Sequence, residues 1–402
     1  MKRFLVLLTA IAVMLCGCTL HDGTDKETGT DQKTEMRGIW ISCYDLQFSD
    51  EERFKNYANT LFADIRSYGF NTVFVHVRPF ADAFYRSEIF PWSSFLTGTQ
   101  GKDPGYDPLP ILLQAAHEQQ LSFHAWINPL RIASDTDLDK LSSDNPAKQY
   151  LTDENPDNDT WVRESGGALY YNPTVFDVQK LIIDGVREIV ANYAVDGIHM
   201  DDYFYPTTAA DFDSTEYEAY CKTTQNPLSL SDFRRTCIDQ LVSGIYAAVK
   251  AENQNCIFGI SPQAKVGYNK NTLYADVEKW CAGSGFVDYI APQIYYGFEY
   301  TKKSDEGESL QFEDCARTWA ALADGNIDLY LGLGLYRSGE SVENGGAGAE
   351  EWIEHTDVIK RQVEFARTVE ECGGCIVFSY SSLSGNDNQK AEAKHLKELY
   401  TE

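Results

Sequence analysis

GIHMDDYFYP occupies residues 197–206. Ile198 and Met200 alternate with His199 and Asp201, so an aliphatic face and a polar face share one short strand. A second carboxylate, Asp202, follows at once. Adjacent carboxylates repel, and a surface loop rarely needs them at the end of an apolar run. The two-residue alternation bears on the fold and the acid pair on the chemistry.

The same alternation recurs outward along the chain. In TVFVHVRP (72–79), Val73, Val75 and Val77 alternate with Phe74, His76 and Arg78. In SFHAWINP (122–129), Phe123, Ala125 and Ile127 alternate with His124, Trp126 and Asn128. RGIWIS (37–42), IFGISPQ (257–263), VDYIAPQIYY (287–296), LYLGLGLYR (329–337) and CIVFSYSSL (375–383) complete eight strand candidates. Amphipathic segments lie between them: Phe54–Tyr68, Leu109–Gln120, Val178–Tyr193 and Phe233–Glu252. Strand alternating with helix predicts a parallel sheet, and eight repeats predict a (β/α)₈ TIM barrel with enlarged βα loops. A doubly wound open sheet is the alternative, but no strand runs into a Gly-rich phosphate turn. The polar face belongs inside the barrel, because the outer face must meet helices.

Polar residues collect at the C-terminal strand ends, where barrels of this kind carry their sites. Arg78, Asn128, Asp201, Gln263, Gln293, Tyr295, Tyr336 and Ser379 stand there. Each alone is an ordinary loop-starting residue; eight together predict a site. Aromatic residues gather at the same ends, among them Trp40, Trp92, Trp126, Tyr203, Tyr205, Tyr295 and Tyr296. Aromatic faces pack on the C–H faces of sugar rings, although core packing is the plain alternative. His76, His124 and His199 read as hydrogen-bonders inside the barrel. Neighbouring carboxylates drive their pKa values apart, which suits acid–base work. Asp202 as a helix or loop cap is the plain alternative for that residue. A metal cage is not indicated, since no Asp-rich loop accompanies the pair and the lone Cys372-Gly-Gly-Cys375 lacks further ligands. These features together suggest glycoside cleavage without a cofactor.

Composition sets outer limits. The 402 residues are 43% hydrophobic and 13% aromatic, enough for a full core. With 34 basic and 61 acidic residues the net charge is −27, which argues against a nucleic-acid partner. Lys2 and Arg3 precede an apolar run, Phe4 to Leu15, that is too short to span a bilayer. Gly17-Cys18 follows, as in a bacterial lipoprotein signal with Cys18 lipidated, although Cys16 stands where a smaller polar or apolar residue is usual. The expected division is a signal over 1–18, a polar tether over 19–34 and a barrel over 35–402, with the protein held to the membrane by lipid on its extracytoplasmic face. A plain secretory signal is the alternative. The eight other cysteines read as buried thiols, with one disulfide as the alternative.

The ordered motifs MRGIWIS, NTVFVHVRPFADAFYRS, PWSSFLTGTQGKDPGYDPL, AHEQQLSFHAWINPLRI, YNP, GIHMDDYFYP, GISPQ and DYIAPQIYYGF resemble the glycosyl-hydrolase-like 10 family of bacterial envelope proteins. The resemblance spans roughly Glu35 to Leu383. It implies a (β/α)₈ barrel and a glycosidase, in at least one relative acting on peptidoglycan glycan strands freed of peptides. Its repeated polar positions fall on Arg78, Asp82, His124, Asn128, Arg131, Asp201, Asp202, Tyr203, Gln293 and Tyr295. The strand-five motif, Gly259-Ile260-Ser261-Pro262, carries no acid, unlike several other glycosidase barrels. We therefore expect Asp201 as principal catalytic carboxylate and Asp202 as its partner. Substrate contacts are expected from Arg78, Asp82, Trp126, Asn128, Arg131, His199, Tyr203, Gln263, Gln293, Tyr295 and Tyr336. The missing second group would be Asp82, Asp45 or Glu299, or else the substrate's own N-acetyl oxygen. Arg78 and Arg131 are candidates for a carboxylate or lactyl group, with barrel salt bridges as the alternative. The long connections 131–172 and 205–230 are expected to wall the cleft. A non-catalytic glycan-binding lipoprotein and an extracellular metalloenzyme are the rival classes.

Overall fold

Each predicted strand is found, and the sheet closes. The computed structural model describes residues 34–341 and 348–401. The signal segment 1–18 with Cys18, and the tether up to residue 33, lie outside the described residues, as does 342–347 of the Gly-rich loop. The barrel strands are β1 (Met36–Ile41), β2 (Thr72–Arg78), β3 (Ser122–Ile127), β7 (Gly197–Met200), β8 (Ile257–Ile260), β9 (Tyr289–Ile290) with β10 (Gln293–Ile294), β11 (Asp328–Gly334) and β12 (Cys372–Phe378). All neighbours are parallel, in the order β10-β11-β12-β1-β2-β3-β7-β8-β9, and β9 also pairs with β11. Strand six is split into β9 and β10 by Ala291-Pro292, since proline cannot donate to the ladder.

The alternation reads correctly onto the two faces. Val73, Val75, Val77, Phe123, Ala125, Ile198 and Met200 lie in the core between barrel and helices. Trp40, Phe74, Trp126, Tyr289, Tyr330 and Ile376 pack inside the barrel. Helices fill the outer layer with one apolar stripe each; in Glu51–Ser67 it is Phe54, Ala58, Leu61, Phe62 and Ile65. Asp50 starts that helix by accepting from Arg53 N.

The floor of the barrel is a hydrogen-bonded aromatic plug. The Tyr289 hydroxyl lies 3.0 Å from His124 Nδ1 and 2.9 Å from His199 Nδ1. Trp40 Nε1 donates to His199 Nε2 at 3.1 Å. Gly259 makes room for this plug, because a Cβ there would stand 2.2 Å from the Tyr289 ring. Burial pushes the His124 pKa down to about 4 and that of His199 well below the usual range, so both rings are neutral hydrogen-bonders.

The connection 131–172 folds into a separate antiparallel sheet of β4 (Arg131–Ala133), β5 (Val162–Ser165) and β6 (Ala168–Tyr171), in the order β4-β6-β5. The connection 205–230 packs inward instead. Phe204, Tyr205 and Phe212 are buried. Arg234 and Asp213 form an ion pair with both side chains fully buried. The eight cysteines within the described residues are all free thiols, including Cys372 and Cys375.

Candidate active site

A cleft of about 440 Å³ opens at the C-terminal ends of the barrel strands. Asp201 and Asp202 lie in its base. Among the described residues they are the only carboxylates that line it.

Asp201 points inward from the end of β7, as the alternation requires, and is 4% exposed. Trp126 Nε1 donates to Asp201 Oδ2 at 3.1 Å, and Tyr203 N donates to Oδ1 at 3.2 Å. The Asn128 amide also faces it; with nitrogen turned inward it donates to Oδ1 at 2.9 Å and Oδ2 at 2.6 Å. Every one of these donors is neutral. Burial, and then the charge of Asp202, push the Asp201 pKa well above the usual carboxylate range. The site therefore holds a proton on Asp201 beyond the pH at which a free aspartate loses it.

Asp202 turns along the rim and stays in the cleft. Gln293 Nε2 donates to its Oδ1 at 3.0 Å, and Gln263 Nε2 donates to its Oδ2. Gln293 Nε2 also reaches Ser261 O at 2.8 Å, which fixes the amide. The two glutamines come from the ends of consecutive strands, β8 and β10, joined by a Gln263–Gln293 bridge. Asp202 is thus a held carboxylate and not a loop cap.

Aromatic rings form one wall. Tyr295 meets Tyr336 edge-on at 5.7 Å, and Phe378 packs against both. Burial pushes the Tyr295 pKa well above the usual phenol range, with Tyr336 and the two aspartates adding to it, so its hydroxyl remains an O–H donor. Across the cleft His76 stacks flat on Trp126 at 3.7 Å between centroids. Burial drives the His76 pKa well below the usual range and leaves it uncharged. Arg131 stands at the mouth between the rings of Tyr203 and Phe80.

Ten of the thirteen expected catalytic and substrate contacts line this cleft: both aspartates, Trp126, Asn128, Arg131, Tyr203, Gln263, Gln293, Tyr295 and Tyr336. Three do not. Arg78 is 1% exposed and lies outside the barrel. A bulge between His76 and Arg78 shifts the register, so Arg78 falls opposite Ile127 of the outer face. Its guanidinium packs 4.7 Å from the Phe90 ring centroid. The helix Phe176–Asn192 approaches so closely that a Cβ on Gly185 would lie 2.6 Å from Arg78 Nη1. Asp82 is buried in a loop, where it accepts from Gln100 Nε2 at 3.2 Å, and burial raises its pKa to about 6. It borders a separate small hollow. His199 belongs to the floor plug. Asp45 and Glu299 do not line the cleft either. Asp45 instead accepts from Ser42 N. Of the connection 131–172 only Arg131 lines the cleft, and of 205–230 no residue does. Trp92 sits half-buried against the outer core, and Tyr205 hydrogen-bonds Asp213; neither lines the cleft.

Five lining residues are not among those the sequence singles out: Ser42, Tyr44, Ser261, Arg337 and Phe378. Phe378 was findable, because it shares the inward face of β12 with Ile376. Tyr44 and Arg337 sit in short turns where no periodicity operates. Tyr44 is 77% exposed.

The sequence profile of the family described as Glycosyl hydrolase-like 10 matches residues 35–346. The chain belongs to that family. Glycosyl hydrolase YngK of Bacillus subtilis (strain 168) is 35% identical over 379 residues, covering 88% of this chain and 69% of the relative. Glycosyl hydrolase DigH of Escherichia coli (strain K12) is 29% identical over 432 residues, covering 96% and 94%. Among solved structures, the glycoside hydrolase domain of PgaB (BpsB) from Bordetella bronchiseptica superposes with a TM-score of 0.60 at 12% identity, covering 91% of this chain and 99% of that one. The catalytic domain of a Paenibacillus polymyxa β-amylase gives 0.58 at 10% identity, covering 92% and 99%. At such identities the likeness is one of fold. As a member of the Glycosyl hydrolase-like 10 family the chain is a glycoside hydrolase, and its substrate is a carbohydrate.

Proposed function

We propose that this hydrolase cleaves N-acetylated glycan strands, peptidoglycan glycan without stem peptides in the first place, with the substrate's own N-acetyl group as nucleophile. One observation carries the reading: Asp201 and Asp202 are the only cleft carboxylates among the described residues, and they are consecutive. The direct two-carboxylate route needs acids on opposite sides of the scissile bond, about 5–5.5 Å apart for retention or about 6.5–9.5 Å for inversion. Consecutive residues, with Cα atoms about 3.8 Å apart, approach a bond from one side. An N-acetyl carbonyl oxygen supplies attack from the other side.

The environments divide the roles. Asp201, buried among neutral donors, keeps a proton and gives it to the leaving glycosidic oxygen as the N-acetyl oxygen bonds to the anomeric carbon. Asp202, held by Gln263 and Gln293, accepts from the acetamido N–H and balances the charge that develops on the resulting ring. Tyr295 offers an O–H donor from the facing wall. Water then opens the ring with Asp201 as base, which restores the acid and retains the configuration. Asn128 serves both states: its oxygen accepts from protonated Asp201, and its nitrogen donates to the ionised form.

The reading extends to location: Gly17-Cys18 behind a short apolar run supports lipid anchoring on the outer side of the membrane. Loss of the protein from the membrane fraction in Cys18→Ser is the expected result there. For the reaction, the purified protein is incubated with peptide-free glycan strands, intact peptidoglycan and poly-N-acetylglucosamine, and products are read by mass spectrometry. Peptide-free strands are expected to yield new oligosaccharides, and the same strands after de-N-acetylation to yield none. Equal cleavage of the de-N-acetylated strands would sink substrate participation.

A further inference from the structure

Two arginines, Arg131 and Arg337, line the cleft, and Arg131 stands where β4 leaves the barrel mouth. Its guanidinium carbon lies 4.5 Å from the Tyr203 ring centroid and 4.9 Å from that of Phe80. Aromatic contacts of this kind hold the guanidinium plane and leave its in-plane N–H groups unused. No carboxylate among the described residues pairs with it. That sets it apart from Arg234, Arg235, Arg361 and Arg367, each of which has an acid within 3.1 Å. A held but unpaired guanidinium at the mouth of a substrate cleft is a fork for two oxygen atoms of one ligand group. The chain's net charge of −27 opposes any anionic substrate in general, so an anionic group entering here needs a local cation.

We infer that Arg131 is the receptor for a carboxylate carried by the substrate, on a sugar near the bond above the two aspartates. This deepens the function proposed above and rests on it. The substrate class is then an acidic N-acetylated glycan whose carboxyl group is free. Capping that carboxyl as an amide, as a stem peptide does, removes both the charge and one of the two matching oxygens. Arg131 thereby becomes the residue that selects strands without peptides. A hexosamine with an ether-linked lactyl group and a uronic acid present the same chemistry.

The test uses the full-length protein and three glycans: lactyl-bearing strands with free carboxyl groups, the same strands amidated, and a polymer alternating N-acetylhexosamine with uronate. The expected ratio of kcat/KM, free over amidated, is about 10–100-fold, the range of one charge-assisted bidentate contact. In Arg131→Gln the ratio collapses toward one, and Arg131→Lys, which keeps the charge and loses the fork, falls between. Arg131 also acts electrostatically on Asp201. Its loss changes rates on every strand, and the ratio cancels that part. The affinities of Asp201→Asn protein, with and without Arg131→Gln, give the same ratio without cleavage. If the wild type cleaves nothing yet the affinity ratio depends on Arg131, the proposed reaction fails and the carboxylate receptor stands. A ratio near one in the wild type, or an unchanged ratio in Arg131→Gln, overturns the inference. Arg131-dependent preference for the uronate polymer supports it and names uronate as the source.

Discussion

Asp201 and Asp213 lie twelve positions apart after the same strand, and both are buried, at 4% and 1% exposed. Their surroundings are opposite. Asp213 accepts from Arg234 Nε at 2.8 Å and from Arg234 Nη2 at 2.5 Å, and the Tyr205 hydroxyl adds a third bond at 2.9 Å. Arg234 in turn donates to Thr208 O, Ala209 O and the Tyr274 hydroxyl. That network closes the connection 205–230 over the helix Leu230–Glu252. Asp201 receives hydrogen bonds only from neutral groups. Asp213 has a cation to hold its charge in the interior, whereas Asp201 has only dipoles that orient it while burial keeps its proton affinity high.

The largest expected effect tests the Asp201 half. Asp201→Asn keeps the shape and removes the transferable proton, so kcat should fall by about 10³-fold, within the range for a general acid. The protein should stay folded, because the substitution also removes a carboxyl that burial disfavours in its charged form. Steady-state kinetics beside thermal melting checks both. Asp201→Asn protein with wild-type turnover would dissolve the distinction.

Asp213→Asn should do the reverse. It strands Arg234 as a buried charge without its partner, at a cost of about 3–5 kcal/mol. Denaturant unfolding should show that loss, while turnover per folded molecule stays within a few-fold of wild type. Replacing Arg234 by Met in the same protein should recover part of the stability, since no unpaired charge then remains.

A pH series sharpens the comparison with a smaller effect. The folded-state pKa of Asp201 is raised, so its contribution to stability is full below the unfolded value of about 3.9 and is lost as pH rises through the folded value. The stability difference between Asp201→Asn and wild type should therefore move in favour of the mutant with increasing pH and then level off. The same ionisation should set the alkaline limb of kcat/KM in the wild type, because the leaving oxygen needs the proton. Two midpoints that disagree would mean that another group limits the rate at high pH.

How much was legible follows from the same physics. The barrel was readable because Val73, Val75 and Val77 set against Phe74 and His76 declare two faces, and the rule repeats around the sheet. Asp201, Asn128, Gln263 and Gln293 were readable as rim residues for that reason. Their division into two hydrogen-bonded sets was not, since it depends on which strand ends meet across the mouth. Beyond the strands no periodicity operates. Tyr203 reaches the cleft while Phe204 and Tyr205 turn into the core, a difference fixed by the tertiary contacts of Asp213 and Trp280. Alternation points Arg78 inward because it assumes an unbroken ladder, and one bulged residue reverses the face.

Arg78 also yields the smallest and last prediction. It is another buried ionisable side chain, with neither a carboxylate bonded to it among the described residues nor a place in the cleft lining. Burial pushes its pKa down, and the Tyr85 and Tyr171 hydroxyls act against that. Its role is to fill the space between β2, the Phe90 ring and Gly185. Met has a stem of similar reach and no charge to desolvate, and such replacements of buried charges are often neutral or better. Arg78→Met should therefore change stability by about 1 kcal/mol or less and leave kcat/KM within about twofold. Arg131→Met, by contrast, should alter which strands are cleaved. A folded Arg78→Met protein that loses activity more than tenfold would place Arg78 in the substrate's path and return the two arginines to a single role.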